Sequence, residues 1–141
     1  MYKHILVPVD GSTASMAALD KAAGVARAYA VPVTAIFVID PYPFTGVGAD
    51  FAYGQDQYLN AARAEAGAAI EAANTRLQQA GVQVDSRVVE SHAVWRGILE
   101  AAETVGADLI VMGSHGRRGL EKLVLGSVAQ SVLSHTKIDT L

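Results

Sequence analysis

Apolar residues fall into two alternating kinds of segment, short runs rich in valine and isoleucine and longer stretches with a helical spacing. The short runs are 4–9, 33–39, 82–89 and 107–113. Three of them are almost continuously apolar, which is typical of parallel strands buried on both faces of a sheet. In the third run, polar Gln83, Asp85 and Arg87 alternate with valines. This alternation predicts a half-exposed strand at an edge of the sheet.

Four helices are predicted from apolar positions that repeat every three or four residues. Their predicted ranges are 13–30, 56–80, 94–105 and 127–135. Gly81 is expected to end the second helix, and Ser127 is a favourable N-cap for the fourth. Alternating strands and helices predict parallel strands joined by right-handed crossovers. We therefore expect one doubly wound α/β domain over residues 1–141.

Two connections stand apart from this pattern. The segment 40–56 is predicted to be a long loop that leaves the carboxyl end of the second strand. Its aromatic residues could form a lid over a ligand or part of a surface that binds a partner. The segment could equally be a mobile surface loop, and the sequence does not decide among these three. At the other end of the chain, the tail offers only Ile138 and Leu141 for a last strand. That strand is expected to be very short.

Composition narrows the possible functions. The chain has 141 residues, of which 51% are hydrophobic, and this content excludes a disordered chain. Eleven basic and fourteen acidic side chains make broad electrostatic binding to nucleic acid unfavourable. The absence of cysteine excludes disulfides and thiolate chemistry. No run approaches the roughly 18–20 apolar residues of a membrane helix, and we expect a cytoplasmic protein.

The segment VMGSHGRRGLEKLVLGS, residues 111–127, contains four glycines. Gly113, Gly116 and Gly119 follow the fourth strand, and Gly126 precedes the last helix. Ligands of open α/β sheets bind beyond the carboxyl ends of the strands, and glycines there let backbone N–H groups approach an anion. The segment therefore predicts a phosphate site, although glycines that only form turns and a helix cap would give the same spacing. It matches neither G-x-x-x-x-G-K-[ST] nor G-x-G-x-x-G.

The segment fits the pattern G-x2-G-x9-G-[ST], and in this it resembles the nucleotide-binding branch of the universal stress protein family. ILVPVDGS near the start, DLIVMGSHGRRGL in the middle and LGSVAQSVLSHTKI near the end extend this resemblance over almost the whole chain. It implies a small α/β fold with strand order 3-2-1-4-5, and a chain that is usually dimeric and binds ATP or a related adenine nucleotide.

The resemblance also implies roles for particular residues. The first two strands would border adenine and ribose, and the glycine segment with the start of the last helix would bind ribose and phosphates. The implied binding residues are Pro8, Val9, Asp10, Val38, Met112, Gly113, Ser114, His115, Gly116, Arg117, Arg118, Gly119, Gly126, Ser127 and Val128. Asp10 could also cap the first helix, and capping is compatible with binding a nucleotide. Arg117 and Arg118 could pair with phosphate or simply be solvated, and His115 could contact phosphate or face solvent.

Three functions remain open from the sequence. The leading one is an adenine-nucleotide-binding sensor or regulator of the stress response. A slow ATPase or phosphotransferase would need a base, for which Asp10 and His115 are the candidates. An interaction module without nucleotide would not need the glycine pattern. We predict no metal site built by the protein, because the four histidines lack ligand spacing, and any Mg²⁺ would be held by phosphates and water.

Assembly is the point where the chain departs from the resemblance. Related sequences usually continue after SHTKI into a hydrophobic strand that pairs across a dimer, whereas here Asp-Thr-Leu follows. Asp139 is unfavourable in a buried strand. A homodimer is still expected, but its usual interface through the last strand is in doubt.

Overall fold

A computed structural model describes residues 2–40, 49–113 and 127–141, and for 49–53 it describes the backbone only. Strands and helices alternate along the chain, as the apolar pattern predicts. The elements in order are β1 (Ile5–Pro8), α1 (Thr13–Tyr29), β2 (Val33–Ile39), α2 (Ala49–Gln79), β3 (Val84–Glu90), α3 (Val94–Val105), β4 (Leu109–Ile110), α4 (Ser127–His135) and β5 (Asp139–Thr140).

The five strands form one sheet in the order β3-β2-β1-β4-β5, and every neighbouring pair is parallel. The predicted α/β class, the strand order, the edge position of β3 and the very short last strand are therefore confirmed. β1 pairs with β2 on one side, where Ile5 lies opposite Val33, and with β4 on the other, where Ile5 lies opposite Leu109. The chain therefore runs outward from β1 through β2 to β3, and then crosses back so that β4 and β5 lie on the other side of β1.

Helices cover both faces of the sheet, and each face has its own apolar cluster. Ile5 and Val7 of β1 point towards α1 and α2, whereas Leu6 between them points towards α3 and α4, and all three are 0% exposed. This alternation follows from the two-residue period of a strand. Burying one such side chain is worth about 1.5–3 kcal/mol, so the sheet is stabilised from both sides.

Several predicted bounds differ from the structure, and the differences are largest for α2 and β4. α2 begins at Ala49, so residues 49–56 of the predicted 40–56 loop are helical. Once a helix exists, each added residue contributes a hydrogen bond without a new nucleus, which favours such an extension. Residues 41–48 lie outside the described residues. β4 has two residues rather than the predicted seven, although the backbone N–H of Val111 still donates to the oxygen of Leu6 at 3.0 Å.

Candidate functional site

A crevice is expected where the carboxyl ends of β1 and β4 lie side by side. From β1 the chain passes to α1 on one face, and α4, which follows β4, packs on the other face. This reversal of strand order is where open α/β sheets bind ligands. Of the predicted site residues, Pro8 is the last residue of β1 and Asp10 lies just beyond it, whereas Met112 and Gly113 follow β4. All four are half-buried.

The turn after β1 holds Asp10 in a defined position. Its Oδ1 accepts a hydrogen bond from the backbone N–H of Ser12 at 2.9 Å. Gly11 between them has φ +81°, a left-handed conformation that favours glycine. In the part of the chain that the structure describes, Oδ2 of Asp10 accepts no hydrogen bond. One carboxylate oxygen is therefore committed to the turn, and the other can accept a bond from a ligand.

Ser12 is the N-cap of α1, so the expectation that Asp10 caps this helix is wrong. The Ser12 Oγ accepts from the backbone N–H of Ser15 at 3.2 Å. An N-cap side chain accepts from the second or third helical residue, and Asp10 lies too early in the chain for that. Asp10 shapes the turn that leads to the cap.

Gly113 lies against the first turn of α1. A Cβ at this position would be 2.8 Å from the Ala14 Cβ and 3.1 Å from the backbone carbon and oxygen of Ala14. The glycine is therefore required by close approach of two protein segments at the crevice. This explains one of the four glycines by packing, whatever the other three do.

The apolar residues of the predicted site pack on both faces of the sheet. Val9 is 5% exposed and belongs to the cluster under α1 and α2. Its N–H donates to the oxygen of Ile36 at 2.8 Å. Val38, Met112 and Val128 all pack against the other cluster, under α3 and α4. A ligand in the crevice would meet the backbone of Val9 rather than its side chain.

The side chain of Val38 packs closely against the backbone of α3 at Gly97. A Cβ at Gly97 would be 2.9 Å from Cγ1 of Val38 and 3.0 Å from the Cβ of Ser91. The segments after β2 and β3 also meet beyond Val38, where Nδ1 of His92 lies 3.6 Å from Oδ1 of Asp40. Sequence reasoning missed the role of Gly97. The available signal for Gly97 was a glycine inside a strongly amphipathic helix.

The remaining predicted site residues belong to the glycine segment and to α4. Ser127 is exposed and is the first residue of α4, and Val128 is half-buried. The first backbone N–H groups of a helix have no partner within it and can bind an anion. The other predicted residues, which are Ser114, His115, Gly116, Arg117, Arg118, Gly119 and Gly126, lie outside the described residues.

Groups with shifted pKa values lie at the opposite, amino end of the sheet. Burial lowers the pKa of His4, whose Nε2 is 2.7 Å from the Thr34 Oγ1. A hydrogen bond to Asp139 raises the pKa of Tyr2. At Asp108, burial raises the carboxyl pKa, but the backbone N–H donors of His4 and Lys3 outweigh burial, and the net shift is downward. These three groups lie at the other end of the sheet from the crevice and are not placed to act in it.

Other features of the described residues add little to the site. An open groove of about 580 Å³ lies between α1 and α2, lined by Met16, Thr75 and Gln79 among others, away from the crevice. Since ligands of this fold bind at the carboxyl ends of the strands, we assign the site to the crevice.

Within ranges 2–40, 49–113 and 127–141, no cluster of three potential metal ligands occurs. No helix in those ranges has the length and apolar content needed to span a membrane.

Known proteins resemble this chain over its whole length. The model of the universal stress protein family matches residues 1–141. A universal stress protein of Methanocaldococcus jannaschii is 34% identical over 142 residues, covering 100% of this chain and 81% of the relative. The structure of UspA from Lactobacillus plantarum superposes with a TM-score of 0.87 at 24% identity, covering 99% of this chain and 96% of that one. A universal stress protein solved in complex with cAMP superposes with a TM-score of 0.70 at 28% identity, covering 99% and 94%.

Proposed function

This chain belongs to the universal stress protein family, and we propose that it binds an adenine nucleotide, ATP in the first instance, in the crevice between β1 and β4. The observation that carries the proposal is that β1, which is followed by Asp10, and β4, which is followed by Gly113, are neighbours at the reversal of strand order, with Gly113 packed against Ala14 of α1. The relative that binds cAMP supports the choice of an adenine nucleotide.

The base and ribose would occupy the part of the crevice nearest to β2 and β1. Val38 and Met112 provide apolar surface, and α3 fixes Val38 through Gly97. The remaining oxygen of Asp10 can accept a hydrogen bond from a ribose hydroxyl, as carboxylates do in other doubly wound nucleotide-binding folds. A carboxylate would repel phosphate, and this favours ribose as its partner.

The phosphates would lie between the glycine segment and α4. The free N–H groups at Ser127 and the following residues suit an anion, and the sequence from Gly113 to Ser127 supplies three further glycines and Arg117 and Arg118. Phosphate-bound Mg²⁺ would add charge neutralisation there. The chain's own residues bind and orient the nucleotide, which suits a regulator whose conformation depends on occupancy. We propose that it acts in the cytoplasm, as a homodimer.

The ribose contact is tested with Asp10→Asn and two nucleotides, ATP and 2′-deoxy-ATP. The amide oxygen of asparagine keeps the bond to Ser12, so the turn is preserved. Loss of a charge-assisted hydrogen bond costs about 1.5–3 kcal/mol, which corresponds to roughly 10- to 100-fold in affinity. We expect the wild-type preference for ATP over 2′-deoxy-ATP to disappear in the variant, measured by calorimetric titration.

The control for this titration is Glu100→Gln, which removes one exposed carboxylate on α3. It should leave both affinities unchanged. ATP binding in the wild type with the same preference in Asp10→Asn would remove Asp10 from the site and leave nucleotide binding intact. No binding of either nucleotide by the wild type would contradict the proposed function itself.

A further inference from the structure

β3 forms an open edge of the sheet. It pairs with β2 over seven residues, from Val84 opposite Val33 to Glu90 opposite Ile39. Within the described ranges, no strand pairs with its other side. Val88, in the middle of this strand, is 46% exposed. An unpaired edge of this length is a template on which another strand can pair.

The outward-facing backbone groups of β3 belong to its even-numbered residues. The N–H of Val33 donates to the oxygen of Gln83 at 2.9 Å, and the N–H of Ser91 donates to the oxygen of Ile39 at 2.9 Å. Gln83 and Ser91 thus direct backbone groups towards β2. Because successive residues of a strand direct them to opposite sides, those of Val84, Ser86 and Val88 point away from the sheet.

The side chains of β3 form a short charge pattern around Ser86. Asp85 and Arg87 lie on one face of the sheet, where Oδ2 of Asp85 is 3.4 Å from Nε of Arg87. Both are well exposed. On the other face, the Ser86 hydroxyl accepts from Nδ2 of Asn74 at 3.1 Å. A negative and a positive charge therefore flank the central residue symmetrically.

We propose that β3 pairs antiparallel with β3 of a second copy of this chain, with the two-fold axis at Ser86. In this register Ser86 lies opposite Ser86, and Val84 lies opposite Val88, so the outward-facing backbone groups of the two copies meet as hydrogen-bonded pairs. Asp85 lies opposite Arg87 twice, as non-hydrogen-bonded pairs, in which opposite side chains approach most closely.

The charges select this register over its neighbours. A shift by two residues sets either Asp85 against Asp85 or Arg87 against Arg87, and like charges directly opposite each other are unfavourable. A shift by one residue sets outward-facing backbone groups against inward-facing ones and loses the ladder. The sequence Asp85-Ser86-Arg87 is therefore complementary to itself in one antiparallel register only.

Helix α2 leaves room beside this edge. Arg63 contacts Glu90 at 3.7 Å and Asn74 contacts Ser86, so these two residues mark the side of α2 that faces β3. Gly67 lies between them on the same helical side, and a Cβ there would meet nothing within 4 Å. α2 covers one face of β3 and does not close its outer edge.

The test uses charge reversal and complementation. Asp85→Arg gives two positive charges and Arg87→Asp gives two negative ones, so each variant places like charges opposite each other twice. We expect each to raise the dissociation constant of this interface at least about tenfold. In sedimentation equilibrium at a concentration near the wild-type dissociation constant, each single variant should have a lower average mass than the wild type, close to that of one chain. An equal mixture should return to the wild-type mass.

The double variant Asp85→Arg/Arg87→Asp is the matched control, because it exchanges the charges and restores complementarity. Recovery of the wild-type mass by this variant supports the register. Wild-type mass in either single variant, or no recovery in the mixture, overturns the proposal. A wild type that keeps the mass of one chain up to millimolar concentration also overturns it, and leaves the edge to a strand of another protein.

A second measurement avoids any effect of charge on folding. The chain has no cysteine, so Ser86→Cys introduces a single thiol at the proposed two-fold axis. Opposed Cα atoms in a hydrogen-bonded antiparallel pair are about 5.5 Å apart, which suits a disulfide. Mild oxidation should link Ser86→Cys into dimers and leave the exposed control Lys21→Cys on α1 unlinked. Equal linkage in both variants, or none in Ser86→Cys, contradicts the pairing.

Discussion

Gly113 lies at the candidate site and also matters for the packing of the fold, because it allows the end of β4 to lie against the first turn of α1. A side chain here must displace Ala14, whose backbone contributes two of the three nearest atoms and cannot move freely. We expect Gly113→Ala to lower the free energy of unfolding by about 1–3 kcal/mol, in the range of an overpacked core. Urea denaturation followed by circular dichroism measures this change.

The control for Gly113→Ala is Gly24→Ala. Gly24 lies exposed within α1, and a Cβ there would meet nothing within 4 Å. Alanine in a helix interior is favoured over glycine by about 0.5–1 kcal/mol, so this variant should be more stable than the wild type. Equal effects of the two substitutions would show that Gly113 is not required by packing.

His4 is expected to make the stability of the protein depend on pH. Its pKa is lowered from the ordinary value of 6.5, chiefly by burial and also by Arg87, against the opposing effects of Asp108 and Asp85. The unfolded state therefore binds the proton more readily than the folded state. The contribution of His4 is constant above pH 6.5 and is lost as pH falls from 6.5 through the lower folded pKa.

This dependence is measured by urea denaturation at pH 7.5 and at lower pH values, in the wild type and in His4→Gln. We expect the wild type to lose more stability than the variant between pH 7.5 and pH 5, because glutamine does not titrate. Parallel losses in the two proteins would show that the partial burial of His4 does not control its protonation.

At the scale of elements, α1 depends on a cap that sequence reasoning placed at the wrong residue. Replacing Ser12 by alanine removes the acceptor for the N–H of Ser15. The expected loss is about 0.5–2 kcal/mol in the free energy of unfolding. Ser12→Asp keeps an acceptor and should unfold close to the wild type. If both variants lose the same stability, the cap does not act through this hydrogen bond.

The sequence predicts elements well where one periodicity continues without interruption. β2, α3 and α4 have the predicted bounds, since valine-rich runs and regular apolar stripes are local signals. The start of α2 is hard to predict because residues 49–55 include Gly54 and directly follow a segment with two prolines and two glycines. Helix extension there depends on adding hydrogen bonds to an existing helix, and periodicity does not report that.

Contacts within the candidate site were harder to predict than its position. The motif and the strand order place Asp10, Met112 and Gly113 beyond the carboxyl ends of two neighbouring strands, β1 and β4. The bond from Ser12 to Asp10, the close approach of Gly113 to Ala14 and that of Gly97 to Val38 depend on how the backbone turns and packs. Two of these three contacts join residues far apart in the chain, so no local pattern encodes them.

At the scale of the whole molecule, the crevice and the β3 edge are separate surfaces. The crevice opens at the carboxyl ends of β1 and β4, and β3 lies at one side of the sheet, two strands from β1. Binding of a nucleotide and pairing of two chains can therefore be measured independently. Charge reversal at Asp85 or Arg87 should leave ATP affinity unchanged at concentrations where the wild type is assembled. A matching loss of affinity would show that the two surfaces are coupled.

The most direct test of nucleotide binding is calorimetric titration of the nucleotide-stripped protein with ATP, in the wild type and in Gly116→Val. The stripped eluate is examined by mass spectrometry for a co-purified nucleotide. We predict micromolar binding by the wild type and its loss in Gly116→Val, with both proteins folded by circular dichroism. No heat in the wild type and no co-purified nucleotide would contradict the account and favour an interaction module without nucleotide.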